Sequence, residues 1–202
     1  MPIHQLFPEP VYFSNLERKL TKEELKIITK HKKKTYKNVG NTTSNNNYVL
    51  ENKALKNLKK DLHKMVIDYF DKIVCPSNPI IPYITQSWLS YTEPGEHHHA
   101  HAHPNSYVSG VFYINVNKEV DGIKFYKRGY PQIMINTTKY NIFNSDSWGY
   151  PVKTGDIILF PSSLIHGVDK KKGNNTRISL SFNVFIKGKI GRNARLSELV
   201  LE

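Results

Sequence analysis

A single cysteine, Cys75, stands in a chain of 202 residues. One thiol excludes an internal disulfide and fits a reducing compartment. Long apolar runs are also missing. No stretch approaches the ~18 residues that a membrane span needs, so no membrane partner is expected. The opening Met-Pro-Ile-His-Gln-Leu-Phe has no charged segment followed by an apolar run, so no signal peptide is expected. There is no internal repeat, no βαβ alternation and no phosphate-cradling glycine loop. Acidic side chains are scarce: 17 Asp and Glu face 29 Lys and Arg, a net charge of +12. Such a charge favours nucleic acid or acidic partners. Much of it lies in runs such as Lys30-His31-Lys32-Lys33-Lys34 and Lys170-Lys171-Lys172, which read equally well as solvated surface. No aromatic–basic motif accompanies it, so charge alone names no partner.

What is present is the composition of a folded globule, 39% hydrophobic and 11% aromatic, at a length that suits one domain with a real core. The expected layout is one unit over 1–202: an arm and helices over 1–79, a strand-rich core over 80–188 and a peripheral tail over 189–202. The arm, Phe7 to Phe13, carries two prolines that bar it from a central strand. Thr21-Lys-Glu-Glu24 is a capping box that starts a helix running to about Lys33, with Leu25 and Ile28 inward. Asn38 to Asn47 reads as a loop. Leu55, Leu58, Leu62, Met65, Val66, Tyr69, Phe70 and Ile73 recur at helical spacing and predict a helix over 51–74, ended by Pro76 and Pro79. Then the pattern changes. Residues 80–91, 108–116, 123–126, 157–160 and 177–186 are β-branched and aromatic, which predicts an antiparallel sandwich or barrel. Residues 127–150 are poorly patterned and read as an insertion over the barrel mouth. Leu196 to Leu201 suggests one short helix.

The chemistry centres on His97-His98-His99-Ala100-His101-Ala102-His103. On an extended chain, alternation puts His97, His99, His101 and His103 on one side and His98 on the other. Imidazole is the commonest metal ligand, and several on one face invite a transition metal. A remote histidine, His166, follows Phe160-Pro161-Ser162-Ser163-Leu164-Ile165. A near pair plus a remote histidine is the ligand pattern of a mononuclear site in a β-barrel. The register is open: the near pair is His101/His103, His97/His99 or His99/His101, and a carboxylate such as Glu96 is a further candidate. Arg177 opens an apolar strand in which Ile178, Leu180 and Phe182 alternate. A charge there points into the barrel, which is costly unless it meets an anion. Ser179 and Asn183 share its face.

These segments together resemble a known superfamily. They are His101-Ala102-His103-Pro104, Val111-Phe112-Tyr113-Ile114-Asn115, Gly155-Asp156-Ile157-Ile158-Leu159-Phe160-Pro161, His166 and Arg177-Ile178-Ser179. The chain resembles the 2-oxoglutarate/Fe(II)-dependent oxygenases, prolyl-hydroxylase-like branch. Within it, the chain is similar to a family of phages and bacteria that shows His-x-His-Pro followed by Ser-Gly-Val-x-Tyr. The resemblance spans about residues 84–186. It implies a mainly β fold, a double-stranded β-helix or jelly roll of cupin-like form, with an N-terminal helical buttress. It implies an enzyme with Fe(II), 2-oxoglutarate and O2 as cofactors; the lone cysteine and the missing signal peptide predict a cytoplasmic setting. It assigns His101, His103 and His166 to the metal, with His103 where most relatives carry Asp or Glu. It assigns Arg177 and Ser179 to the distal carboxylate of 2-oxoglutarate, with Tyr113 and Asn183 beside them; Tyr113 reads equally well as core. The implied reaction hydroxylates an unactivated C–H bond and releases succinate and CO2. The missing near carboxylate leaves a rival, a cupin-like metal protein or three-histidine dioxygenase that does not use 2-oxoglutarate. The primary substrate, whether peptide, nucleic acid or small molecule, is not legible.

Overall fold

The structure, a computed structural model, describes residues 2–129, 133 and 135–202. The arm ends in β1 (Tyr12–Asn15), and α1 (Lys22–His31) follows. The capping box forms as expected: Thr21 Oγ1 accepts from the Glu24 amide and Glu24 Oε2 accepts from the Thr21 amide. Ile28 is buried, but Leu25 is 44% exposed. The helix turns inward by the capping residue instead. Glu24 is buried because Arg18 binds both of its oxygens at 2.8 Å.

The expected loop over 38–47 contains part of a hairpin, β2 (Thr35–Lys37) and β3 (Thr42–Ser44). The second helix is shorter than its periodicity suggested. Two 3₁₀ turns over 49–55 precede α2 (Lys56–Tyr69), and a π turn over 70–74 ends it. Leu55, Leu58, Leu62, Val66, Tyr69 and Phe70 are buried, whereas Ile73 is exposed. The strands of the core are β4 (Ile80–Thr92), β5 (His98–His101), β6 (Val108–Asn115), β7 (Gly122–Tyr126), β8 (Ser147–Pro151), β9 (Asp156–Pro161), β10 (His166–Val168) and β11 (Arg177–Ile190). The tail forms β12 (Leu199–Leu201), antiparallel to β11, where a helix was expected. An unsatisfied end of β11 supplies that partner, and no local pattern announces it.

Two antiparallel sheets face each other. The larger runs β1-β9-β6-β11-β4-β3-β2, and the smaller runs β5-β10-β7-β8. This is the jelly roll. Because side chains alternate across a strand, β6 and β9 of the larger sheet each serve two cores. Leu89, Tyr91, Phe112, Leu180, Phe182 and Val184 face α1 and α2, the buttress. Val111, Tyr113, Ile158 and Phe160 face Ile123, Phe125 and Leu164 between the sheets. Gly110 belongs to this packing. A Cβ there would lie 2.2 Å from the Phe182 ring, so only glycine lets β6 and β11 pair with that ring between sheet and helices.

The insertion is smaller than expected. Residues 147–150 belong to β8, which pairs with β7 along its whole length. Ile142 and Phe143 face the arm, His4 to Glu9, and not the histidine cleft. Residues 130–132 and 134 of that insertion lie outside the described residues. Among the described residues no helix is long and apolar enough to cross a membrane.

Candidate metal centre

The smaller sheet carries the histidines. In the β5–β10 pair, His166 lies directly opposite His101. Residues so paired share a face with Cβ atoms about 4.5–5.5 Å apart. Sixty-five positions of sequence separation thereby collapse to a ring-centroid distance of 4.4 Å. His103 lies just past the end of β5, where its amide donates to the Ser162 carbonyl at 2.9 Å. Its ring stands 5.0 Å from that of His101 and 5.1 Å from that of His166. The ligating atoms of His101, His103 and His166 all lie within 4.8 Å of one another.

Each of these rings has one nitrogen tied down. His101 Nδ1 donates to the His99 carbonyl at 2.8 Å and His166 Nδ1 to the Leu164 carbonyl at 3.0 Å. His103 Nδ1 donates to Asn183 Oδ1 at 2.6 Å. An oxygen that can only accept forces the proton onto Nδ1, so Nε2 keeps its lone pair. His103 Nε2 is buried and has no partner. Burial, with the neighbouring His101 ring, pushes His166 down to about 3. Burial also lowers His101 and His103. All three are therefore neutral donors at ordinary pH, as a metal requires. Three neutral imidazoles suit iron, zinc, copper or nickel, so the residues fit the ion. No carboxylate joins the group among the described residues. Glu96 is engaged elsewhere, its Oε2 accepting from the Glu93 amide at 2.8 Å.

Strict alternation along the histidine run does not hold. The β5–β10 register shifts between His166 and Val168. That irregularity brings His98 round to the side of His99 and His101, and the rings of His98 and His101 stack at 4.5 Å. The ligating atoms of His98, His99 and His101 also lie within 4.8 Å of one another. His97 is exposed and belongs to neither group; its ring packs on Gly40.

The larger sheet supplies the opposite wall. Arg177 begins β11 and is only 4% exposed. Its Nε and Nη1 are buried without a hydrogen-bond partner, and its guanidinium lies 5.4 Å from the Tyr113 ring centre. Ser179 lies opposite Tyr113 on one side and Ser90 on the other, and Thr43 lies opposite Ser90. A row of four hydroxyl-bearing residues therefore crosses the sheet on one face, next to the guanidinium. The hydroxyls of Thr43, Ser90 and Tyr113 are buried and unpartnered, as are both amide atoms of Asn41. Burial pushes Tyr113 up to about 12, so it stays a neutral hydroxyl. The sequence points to Arg177, Ser179 and Tyr113 but not to Asn41, Thr43 or Ser90. The hairpin that carries two of them hides in a polar, Asn-rich stretch. Its one signal is the β-branched Thr42-Thr43.

Arg177, Ser179 and Tyr113 do not line the open cleft. That cleft, of about 840 Å³, is bounded by Tyr36, Asn38, Trp88, Asn183, Phe185 and four histidines of the run, His98, His99, His101 and His103, among others. Asn183 thus sits at the histidine end of β11, holding His103, rather than beside Ser179. Trp88 covers the His103 ring at 5.5 Å. Tyr91 is core, its hydroxyl donating to the Ile28 carbonyl.

A jelly roll that gathers neutral imidazoles near one end and buries an unpaired guanidinium in its interior has the build of a metal-dependent enzyme that takes an acid. Residues 86–183 match the family described as "Putative 2OG-Fe(II) oxygenase". That segment, just under half of the chain, is similar to the 2-oxoglutarate/Fe(II)-dependent oxygenases, enzymes that use Fe(II), 2-oxoglutarate and O2. No curated protein matches significantly. Solved structures do. The epimerase SnoN in complex with Fe3+, alpha ketoglutarate and nogalamycin RO aligns with TM-score 0.61 at 10% identity, over 95% of this chain and 86% of that one. HygX from Streptomyces hygroscopicus, with nickel, 2-oxoglutarate and hygromycin B, gives 0.54 at 12% identity over 85% and 82%. A Pseudomonas putida prolyl-4-hydroxylase gives 0.52 at 12% identity over 87% and 92%. At such identities these likenesses establish the fold.

Asn183 invites a direct test as a positioning residue. Asn183→Ala frees the His103 ring to rotate and to change tautomer. The Fe(II) concentration for half-maximal succinate formation should rise about 10–100-fold, the usual worth of such a partner. Asn183→Asp, which still accepts from Nδ1, should retain most of the affinity. Equal loss in both variants would remove the positioning role.

Proposed function

We propose that the chain couples oxidation of 2-oxoglutarate to hydroxylation of an unactivated C–H bond, with His101, His103 and His166 holding the metal. Fe(II) held by these residues would supply O2 activation, with one oxygen atom ending in succinate, CO2 released, and the other oxygen ending in the hydroxylated product. The rest is the work of the chain. Arg177 and Ser179 bind the distal carboxylate. Tyr113 keeps its proton and donates to the same group, while its ring supports the guanidinium. Asn183 fixes the tautomer and orientation of His103, and Trp88 shields that ring from water.

The observation that carries this reading is the unpaired Arg177. A buried charge without a partner costs several kcal/mol, and a chain keeps one only where an anion completes it. The guanidinium offers a bidentate fork that matches a carboxylate. The same observation weighs against a barrel that binds metal but not 2-oxoglutarate. The primary substrate is read from the cleft. Among the described residues no Lys, Arg, Asp or Glu lines it, although the chain carries +12. Tyr36, Tyr83, Trp88 and Phe185 offer flat apolar faces, and Asn38, Asn47, Gln86 and Asn105 offer amides. This favours an uncharged polar substrate over a phosphate-bearing one. The exposed lone thiol of Cys75 fits a reducing, cytoplasmic setting.

The test is succinate formation from 2-oxoglutarate with added Fe(II) and O2, without primary substrate. Slow uncoupled turnover that vanishes with a chelator is expected. No turnover together with no 2-oxoglutarate binding would exclude the reading.

A further inference from the structure

His98 and His99 are the part of the histidine run that the reading above leaves unused, and both are partly buried, not displayed on the surface. His98, His99 and His101 keep their ligating atoms within 4.8 Å of one another, the same spread as the triad that includes His103 and His166. The rings of His98 and His99 stand 4.5 and 4.8 Å from the ring of His101, while those of His166 and His103 stand at 4.4 and 5.0 Å. His101 is therefore the hinge of two equivalent clusters. His99 Nδ1 is buried and has no partner, the signature of a donor awaiting a ligand. His98 Nε2 has only a long contact, 3.4 Å, from Asn38 Nδ2.

We propose that His98, His99 and His101 form a second site for a divalent transition-metal ion, overlapping the first at His101 and exclusive with it. The inference rests on the reading of His101, His103 and His166 as the first site. Exclusivity follows from the hydrogen bonding of His101. Its Nδ1 proton is committed to the His99 carbonyl, so Nε2 has the single lone pair that the ring can give. One lone pair serves one ion. The chain therefore holds one ion at either position, not two. A set of three imidazoles without a carboxylate suits Ni2+, Cu2+ or Zn2+. An ion held by His98 and His99 has left the two other ligands that the reaction requires. Occupancy of the second site therefore withdraws the enzyme from turnover.

Titration of the metal-free full-length protein with Ni2+, followed calorimetrically, separates the cases. The wild type should take one Ni2+. His103→Ala/His166→Ala should still take one, with Kd within about tenfold of the wild type. His98→Ala/His99→Ala should also take one. His101→Ala, which leaves only pairs, should bind at least about 100-fold more weakly than any of these. Added 2-oxoglutarate should tighten Ni2+ in the wild type and in His98→Ala/His99→Ala, and should leave His103→Ala/His166→Ala unchanged. Glutamine replacements serve where alanine lowers the melting temperature. The second site is refuted if His103→Ala/His166→Ala binds no better than His101→Ala. Two tight Ni2+ ions in the wild type would refute the shared ligand. Failure of the first site shows separately, as a loss of Ni2+ in His98→Ala/His99→Ala.

Discussion

Replacing Arg177 with alanine is expected to weaken 2-oxoglutarate binding by about 10² to 4 × 10³-fold while metal binding stays near the wild-type level. The guanidinium is buried, its Nε and Nη1 have no protein partner, and it lies 5.4 Å from the Tyr113 ring centre. Removing one partner of a buried, hydrogen-bonded charge pair costs roughly 3–5 kcal/mol, and about 1.4 kcal/mol is tenfold in affinity. That range sets the expected loss. Arg177→Lys restores the charge but not the fork, so it should recover only part of the affinity. The same charge burdens the protein when the acid is absent. Arg177→Met removes an uncompensated charge and keeps the volume, so the metal-free, acid-free protein should melt at or above the wild-type temperature. Added 2-oxoglutarate should then stabilise the wild type and not the variant, by the mass-action term for a ligand that binds only the native state. Calorimetric titration and thermal melts check both halves. Unchanged 2-oxoglutarate affinity in Arg177→Ala would mean that another cation grips the acid.

What the sequence displays and what it conceals divide along one physical line. Features built from local pattern were legible. Thr21 and Glu24 marked the start of α1, the 3.6-residue rhythm of Leu55 to Phe70 marked α2, and the β-branched runs marked β4, β6, β7, β9 and β11. Features built from a distant partner were not. β3 exists because Thr42 and Thr43 pair with Tyr91 and Ser90, and β8 because Trp148 and its neighbours pair with β7. β12 likewise depends on β11, and the inward face of α1 depends on the reach of Arg18. The candidate site follows the same division. Residue types and their order pointed to His101, His103, His166 and Arg177. The acceptors that set their tautomers, two main-chain carbonyls and Asn183, are consequences of register. So is the approach of His98 to His101, which the register shift of β5 produces against simple alternation.

His103→Ala should lower succinate formation by about 10³-fold or more, and His166→Ala should do the same, whereas His97→Ala should stay within about twofold of the wild type. The floor on the first two follows from comparison with an outer partner, whose loss is worth about 10–100-fold; a direct ligand must be worth more. His97 is the control because its exposed ring sits on Gly40, outside both clusters of ligating atoms. His103→Asp is the informative variant. A carboxylate at that position brings a negative charge that three imidazoles lack, and an oxygen donor that iron accepts readily. Asn183 can turn its amide to donate where it now accepts, so the partner need not be lost. The shorter side chain works against the gain, and the outcome expected is activity well above that of His103→Ala. Metal-dependent succinate assays on the four variants decide the matter. Full activity in His103→Ala would move the near ligand pair to His99 and His101, and would make the His103–Asn183 contact a packing feature of the cleft wall.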